Sequence, residues 1–143
     1  MKIHRAVLDT NVMVSVAFAK EGLAKELRDM IADGAFTLVT SKEIVKELYR
    51  VFHYPHIVKR FKPSERDINE FIGMILSRAI ITKGLFDVKK IKDDPTDNKF
   101  LACALEGKAD YIVSRDPHLR DLKYYQGIQI ADVKTFTEKM TGK

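Results

Sequence analysis

The chain has 143 residues, of which 45% are hydrophobic and 31% are charged, with a formal net charge of +5. This length suits one domain with a sizeable core, so we predict a single domain over residues 1–143, and no apolar run approaches the roughly 18 residues of a membrane span. The first residues read as a strand rather than a signal peptide, and Cys103 is the single cysteine, so we expect a cytoplasmic protein without disulfides or a membrane partner.

Apolar runs and helical patterns alternate along the chain. Strands are predicted at residues 3–8, 36–39, 79–82, 110–114 and 128–131. Helical spacing is predicted around residues 23–31, 44–52, 64–76, 97–105 and 133–140. The apolar segment 12–18 begins a helical or irregular stretch, and 53–63 holds at most a short helix. Uniformly apolar strands that alternate with helices are typical of a parallel sheet covered on both faces, which predicts an α/β fold.

Two carboxylates follow predicted strands directly. Asp9 comes after the first strand, and Asp116 comes shortly after the fourth. Open parallel sheets bind ligands beyond the carboxyl ends of their strands, so the two side chains are candidates for one site. Each also has a structural alternative, because Asp9 suits an Asx turn and Asp116 suits a helix cap before Pro117. Their position on two separate strands favours the shared site.

Two further acidic positions lie on helices. Glu47 lies about 100° from the centre of the apolar face of its helix, so it can reach along the edge of the core, with a solvated glutamate as the alternative. Asp94 before Pro95 resembles an N-cap, and Asp97 resembles its reciprocal capping-box partner. We prefer Asp97 as the ligand and keep Asp94 as second choice or outer support.

Four crowded carboxylates repel one another unless a cation neutralises them. Oxygen ligands suit Mg²⁺ or Mn²⁺, whereas the lone Cys103 and the unpaired spacing of the four histidines disfavour zinc. The glycine-rich motifs that cradle nucleotide phosphates are absent. The sequence therefore predicts metal-dependent chemistry on a substrate that carries phosphate.

Five segments carry a family resemblance when they are taken in order. They are Val7–Val12, Ser41–Leu48, Asp94–Ala104, Ala109–Asp116 and Gly127–Phe136. No single segment is specific, but the ordered set resembles the PIN-domain family of small Mg²⁺- or Mn²⁺-dependent ribonucleases over nearly the whole chain. The resemblance implies a three-layer α/β/α sandwich with a central parallel sheet in the order 3-2-1-4-5.

The resemblance also implies the site and the biological role. The acidic set is expected to act in catalysis and metal binding, with two polar helpers: Asp9, Glu47, Asp97 and Asp116, supported by Asn11 and Ser114. The implied activity is an endoribonuclease that hydrolyses RNA phosphodiester bonds. Many stand-alone PIN domains are toxins of toxin–antitoxin pairs and many are dimers, so the resemblance implies a cognate antitoxin protein and a homodimer.

Basic residues close in sequence to the acidic set are candidates for binding the phosphates of RNA. They are Lys46, Arg50, Lys99 and Arg115, with His118 nearby. The alternative for each is ordinary solvated charge. The competing function is a catalytically silent PIN-like module for RNA binding or assembly, which the intact acidic set disfavours. A haloacid-dehalogenase-type phosphotransferase is disfavoured because Asn11 stands where its acid/base aspartate is required.

Overall fold

A six-stranded sheet forms the centre of the computed structural model, which describes residues 2–91 and 97–142. The strands are β1 Arg5–Leu8, β2 Thr37–Ser41, β3 Ile80–Thr82, β4 Tyr111–Val113, β5 Tyr124–Tyr125 and β6 Ile128–Ala131. Their order is β3-β2-β1-β4-β6-β5, and every neighbouring pair is parallel except β5 with β6. The predicted order is confirmed for the five predicted strands, the last of which is β6.

Helices connect the strands and cover the sheet. They are α1 Thr10–Ala17, α2 Gly22–Asp33, α3 Lys42–Phe52, α4 Pro55–Phe61, α5 Glu65–Arg78, α6 Asn98–Glu106, α7 Pro117–Arg120 and α8 Val133–Thr141. Helix α6 packs against β1, β2 and β4, and α8 packs against β4. None of the helices in the described ranges combines the length and the apolar character that a membrane span needs.

The central strand β1 explains why both faces of the sheet are covered. Ala6, Val7 and Leu8 are all fully buried. Successive side chains of a strand point to opposite faces, so burial of three in a row requires packing on both sides. The predicted α/β architecture, with a mostly parallel sheet between helices, is therefore confirmed.

Strand register places the acidic strand ends side by side. Leu8 of β1 pairs with Val113 of β4, and the backbone N–H of Asp9 continues the ladder to the Val113 carbonyl at 3.0 Å. Because the strands are parallel, Asp9 and Ser114 leave the sheet at the same edge. The carboxyl ends of two strands that are distant in sequence therefore meet in one place.

Three local features differ from the sequence prediction. Strand β5 forms a hairpin with β6 across Gln126 and Gly127, which both have positive φ, as two-residue hairpin turns require. Helix α7 is a single short turn that was not predicted. Helix α3 begins at Lys42, two residues before the predicted helical stretch 44–52, because Ser41 is the N-cap and accepts the Ile44 N–H at 3.2 Å.

Gly107, the C-cap of helix α6, lies close to Val39 of strand β2. A Cβ atom there would lie 2.3 Å from Cγ1 of Val39 and 3.2 Å from the Cys103 carbonyl oxygen. We expect Gly107→Ala to lower the free energy of unfolding by about 1–3 kcal/mol through overpacking, measured by urea denaturation. Gly73 is exposed on α5 and has open space around it, so Gly73→Ala should instead stabilise the protein by about 0.5–1 kcal/mol. Equal stability of the two variants would contradict the close approach.

Candidate active site

The four predicted carboxylates line one cleft of about 180 Å³ at the carboxyl ends of β1 and β4. They come from four different places in the chain: the end of β1, the middle of α3, the start of α6 and the turn after β4. The residues that line the cleft are Asp9, Thr10, Asn11, Glu47, Val51, Asp97, Lys99, Phe100 and Asp116. The structure thus brings together side chains that are separated by up to 107 residues in sequence.

Asp9 is buried at the bottom of the cleft and caps helix α1. Its Oδ1 accepts the Val12 N–H at 2.8 Å, and its Oδ2 accepts the Ser114 hydroxyl and the Arg115 backbone N–H. Burial raises the pKa of the Asp9 carboxyl, and the negative charge of Asp116 adds to the rise. The hydrogen bonds lower the pKa but do not cancel the effect of burial. A cation near Asp9 would therefore relieve an unfavourable charge.

Asp116 combines a structural contact with a place in the cleft. Its Oδ1 accepts the His118 backbone N–H at 2.8 Å and so caps α7, which begins at Pro117. The structural alternative of a cap before proline is thus realised, yet the same carboxylate also lines the cleft. One residue serves both purposes because a carboxylate has two oxygens.

The most compact group of possible ligand atoms in the described residues contains a histidine. Asp97, Asp116 and His118 each offer one ligand atom, and these atoms lie within 4.8 Å of one another. Asp97 is 7% exposed, whereas His118 is on the surface side. The carboxylates suit Mg²⁺ or Mn²⁺, and the imidazole favours the transition-metal ion Mn²⁺. The donor set present therefore fits a divalent ion.

Glu47 faces the same cleft but is already engaged by two donors. Its Oε1 accepts the Thr10 hydroxyl, and its Oε2 lies 2.7 Å from Nζ of Lys99. The side chain of Lys99 is only 9% exposed and lies over the Phe100 ring, 4.8 Å from the ring centre. Lys99 was predicted as a phosphate-binding residue; the structure pairs it with a predicted metal ligand.

The two predicted polar helpers occupy different positions. Ser114 is fully buried, donates its hydroxyl to Asp9 and accepts the Asp116 backbone N–H at 2.9 Å, so it joins two members of the acidic set. Asn11 is exposed and lines the cleft. Asp94, the second choice beside Asp97, lies outside the described residues.

The other predicted phosphate-binding residues do not line the cleft. Lys46 and Arg50 border a separate apolar hollow on α3 together with Tyr49 and Ile72. Arg115 is exposed and contacts the site through its backbone N–H, which donates to Asp9 at 3.2 Å. Of the four basic candidates, Lys99 is the one that the structure places in the cleft.

Two residues, Thr10 in the cleft and His118 beside Asp116, were not predicted in their observed roles. Thr10 follows Asp9, and its hydroxyl donates to Glu47. This contact joins α1 to α3 and cannot be predicted from a local sequence pattern. His118 was considered only as a phosphate contact, although its spacing from Asp116 at a helix start could have indicated a joint ligand pair. Paired histidine spacing indicates zinc, but it does not reveal an Asp–His pair.

Side-chain contacts at both ends of helix α6 fix the position of the helix. The Asn98 side chain accepts the Ile91 N–H at 2.7 Å and donates to the Ile91 carbonyl at 2.9 Å. At the other end, the Glu106 carboxylate accepts the backbone N–H groups of Lys83 and Leu85 at 2.8 Å each. These contacts hold the first turn of α6, and with it Asp97 and Lys99, against the cleft.

Comparisons with known proteins agree with this architecture. A family model described as PIN domain matches residues 5–118, which is most of the chain. A protein of Methanocaldococcus jannaschii with the name "Uncharacterized protein MJ1680" is 28% identical over 138 residues, covering 94% of this chain and 87% of that protein. The crystal structure of PAE2754 from Pyrobaculum aerophilum matches with a TM-score of 0.62 and 13% identity, over 98% of this chain and 91% of that one. At this identity the structural likeness shows the fold alone.

Proposed function

Since this chain belongs to the PIN-domain family, we propose that it is a Mg²⁺- or Mn²⁺-dependent endoribonuclease that hydrolyses RNA phosphodiester bonds. PIN domains are generally nucleases, so a nucleic acid is the expected substrate. The observation that carries the proposal is the convergence of Asp9, Glu47, Asp97 and Asp116 on one cleft at the carboxyl edge of the sheet. The net charge of +5 also suits a polyanionic substrate.

The residues of the cleft suggest a division of roles. Asp97 and Asp116 would hold a divalent ion together with His118, and Asp9 would add charge from the buried side. When bound, such an ion lowers the pKa of a water molecule and neutralises charge on the scissile phosphate. Ser114 keeps the Asp9 carboxylate oriented through its hydroxyl, and the capped turn at Asp116 fixes that carboxylate against the cleft.

The family resemblance supports further parts of the proposal. We propose that residues 1–143 form one domain, since the buried hydrophobic side chains of the described residues form one core cluster from Ala6 to Phe136. A toxin role in the cytoplasm, a cognate antitoxin and a homodimer remain predictions from the resemblance. A small antitoxin-like reading frame beside the gene would support the toxin role, and light scattering of the purified protein would test the dimer.

Metal removal tests the activity directly. We expect purified protein to cleave mixed RNA in the presence of Mn²⁺, to lose this activity with excess EDTA, and to recover it when Mn²⁺ is restored, because the carboxylates cannot neutralise the phosphate by themselves. Gel analysis of the RNA fragments measures the effect. Cleavage that persists in EDTA would contradict a metal-dependent mechanism. Mn²⁺ binding without cleavage of any RNA would favour the silent binding module instead.

A further inference from the structure

Lys99 is the buried cation of the acidic cleft. Its ammonium group lies 2.7 Å from Oε2 of Glu47, and its stem reaches that position over the ring of Phe100. The side chain is only 9% exposed. Lysine is rarely buried without an acidic partner, since the charge loses its hydration. The contact with Glu47 therefore compensates the buried charge of Lys99. The start of α6 carries both Asp97 and Lys99.

Both oxygens of Glu47 already have donors. The Thr10 hydroxyl contacts Oε1, and the Lys99 ammonium contacts Oε2. A divalent ion that takes Glu47 as a ligand must therefore replace Lys99 or bind beside another positive charge, and two cations at one carboxylate repel each other. Asp97, Asp116 and His118 form a separate compact group of candidate ligand atoms, and Glu47 is not a member of it.

We propose that Lys99 is a resident counter-ion of Glu47 and competes with a divalent metal ion for this carboxylate. The inference rests on the proposed function, because it assumes a metal site in the cleft. Lys99 is then a positioning residue that sets the metal affinity of the site, in addition to any contact with phosphate. Without its ammonium, Glu47 becomes a partly buried carboxylate whose charge a metal ion can neutralise.

The test measures Mn²⁺ binding by isothermal titration calorimetry in the absence of RNA. We expect Lys99→Met to bind Mn²⁺ about tenfold more tightly than the wild type, and Lys99→Arg, which keeps the charge, to stay within about twofold of it. Lys42→Met is the matched control, since Lys42 is exposed on the same helix as Glu47 and the variant has the same net charge as Lys99→Met. This control should also stay within about twofold of the wild type.

A double-variant cycle separates direct competition from a general effect of charge. If Lys99 acts through Glu47, Lys99→Met should change Mn²⁺ affinity less than about twofold in a Glu47→Gln background. A tenfold gain that persists in that background would overturn the inference, because it would come only from the long-range field. Unchanged affinity in the single variant would also overturn it. Lys99→Gln provides a second neutral variant, and thermal unfolding verifies the fold of each.

The outcomes distinguish this inference from the proposed function. If neither the wild type nor any variant binds Mn²⁺ at millimolar concentration, the proposed metal-dependent function is contradicted. If the wild type binds Mn²⁺ and cleaves RNA but Lys99→Met binds the ion no more tightly, only the counter-ion role of Lys99 is contradicted. The binding measurement needs no knowledge of the natural RNA.

Discussion

Asp116→Asn is expected to abolish RNA cleavage while the protein stays folded. The substitution removes one negative charge and one candidate metal ligand from the compact group with Asp97 and His118. Mutations of residues that only support metal ligands cost about 10–100-fold, so loss of a ligand should lower kcat/KM by at least about 100-fold. Cleavage of mixed RNA in Mn²⁺ measures the loss.

The fold should survive Asp116→Asn because asparagine replaces the helix cap. Oδ1 of Asp116 accepts the His118 N–H, and asparagine is about as good an N-cap as aspartate. Circular dichroism should show a thermal midpoint close to that of the wild type. Asp132→Asn is the matched control, since Asp132 caps α8 by accepting the Thr135 N–H at 2.7 Å and does not line the cleft. Full activity in Asp116→Asn would remove this residue from the chemistry.

Ser114→Ala is expected to impair both stability and cleavage. The buried hydroxyl donates to the Asp9 carboxylate and accepts the Asp116 N–H, so alanine leaves a charged acceptor and a backbone donor with one partner fewer. Hydrogen bonds to charged groups contribute about 1.5–3 kcal/mol, and we expect a loss of unfolding free energy in this range at neutral pH. Activity should fall about 10–100-fold, because a residue that orients a ligand is removed.

The stability loss in Ser114→Ala should depend on pH. Burial raises the pKa of Asp9 in the folded state above its value in the unfolded state. The protein therefore keeps its full stability below the unfolded-state pKa and loses stability as the pH rises through the folded-state pKa of Asp9. The Ser114 hydroxyl lowers this pKa by favouring the charged form, so its removal raises the pKa further. Urea denaturation in EDTA should therefore show a larger difference from the wild type at about pH 7.5 than at about pH 4.5.

Ser77→Ala is the control for the loss of one serine hydroxyl. Ser77 lies exposed on α5, and its hydroxyl donates to the Met74 carbonyl at 2.8 Å. Surface substitutions of this kind change stability by less than about 0.5 kcal/mol, and no pH dependence is expected. A Ser114→Ala variant as stable as Ser77→Ala at both pH values would show that Asp9 does not need the hydroxyl.

The sequence was most informative where the hydrophobic pattern of an element and the topology of a parallel sheet could be used together. Uniformly apolar strands predicted the parallel sheet, and the position of Asp9 and Asp116 after strands predicted which edge they share. Glu47 was expected to reach along the core edge from its angle on α3, and it does line the cleft. By contrast, β5 has two residues and α7 has four, so neither is long enough to show a period.

Nearness in sequence to the acidic residues did not predict which basic residues line the cleft. Lys46 precedes Glu47 directly and Arg50 follows it by three residues. Adjacent helical residues point about 100° apart, and Lys46 and Arg50, which are four apart, share a face. Lys46 and Arg50 therefore lie together on another side of α3. Lys99 is 52 positions from Glu47 and meets it only because α6 packs beside α3. Such a contact depends on tertiary packing, which no local pattern encodes.

The helix-capping contacts of two acidic residues affect how distant relatives should be interpreted. Asp9 and Asp116 each accept a backbone N–H at the start of a helix. A homologue that had lost hydrolytic activity would still gain folding stability from aspartate at these two positions. Retention of the two aspartates alone is therefore weak evidence that a homologue is an active enzyme. Glu47 sits in mid-helix, and the side chain of Asp97 makes no cap hydrogen bond to α6. Under the proposed function, divergence at Asp97 or Glu47 would therefore be the better genomic marker of an inactive copy, although loss of Glu47 also removes the carboxylate that Thr10 and Lys99 contact.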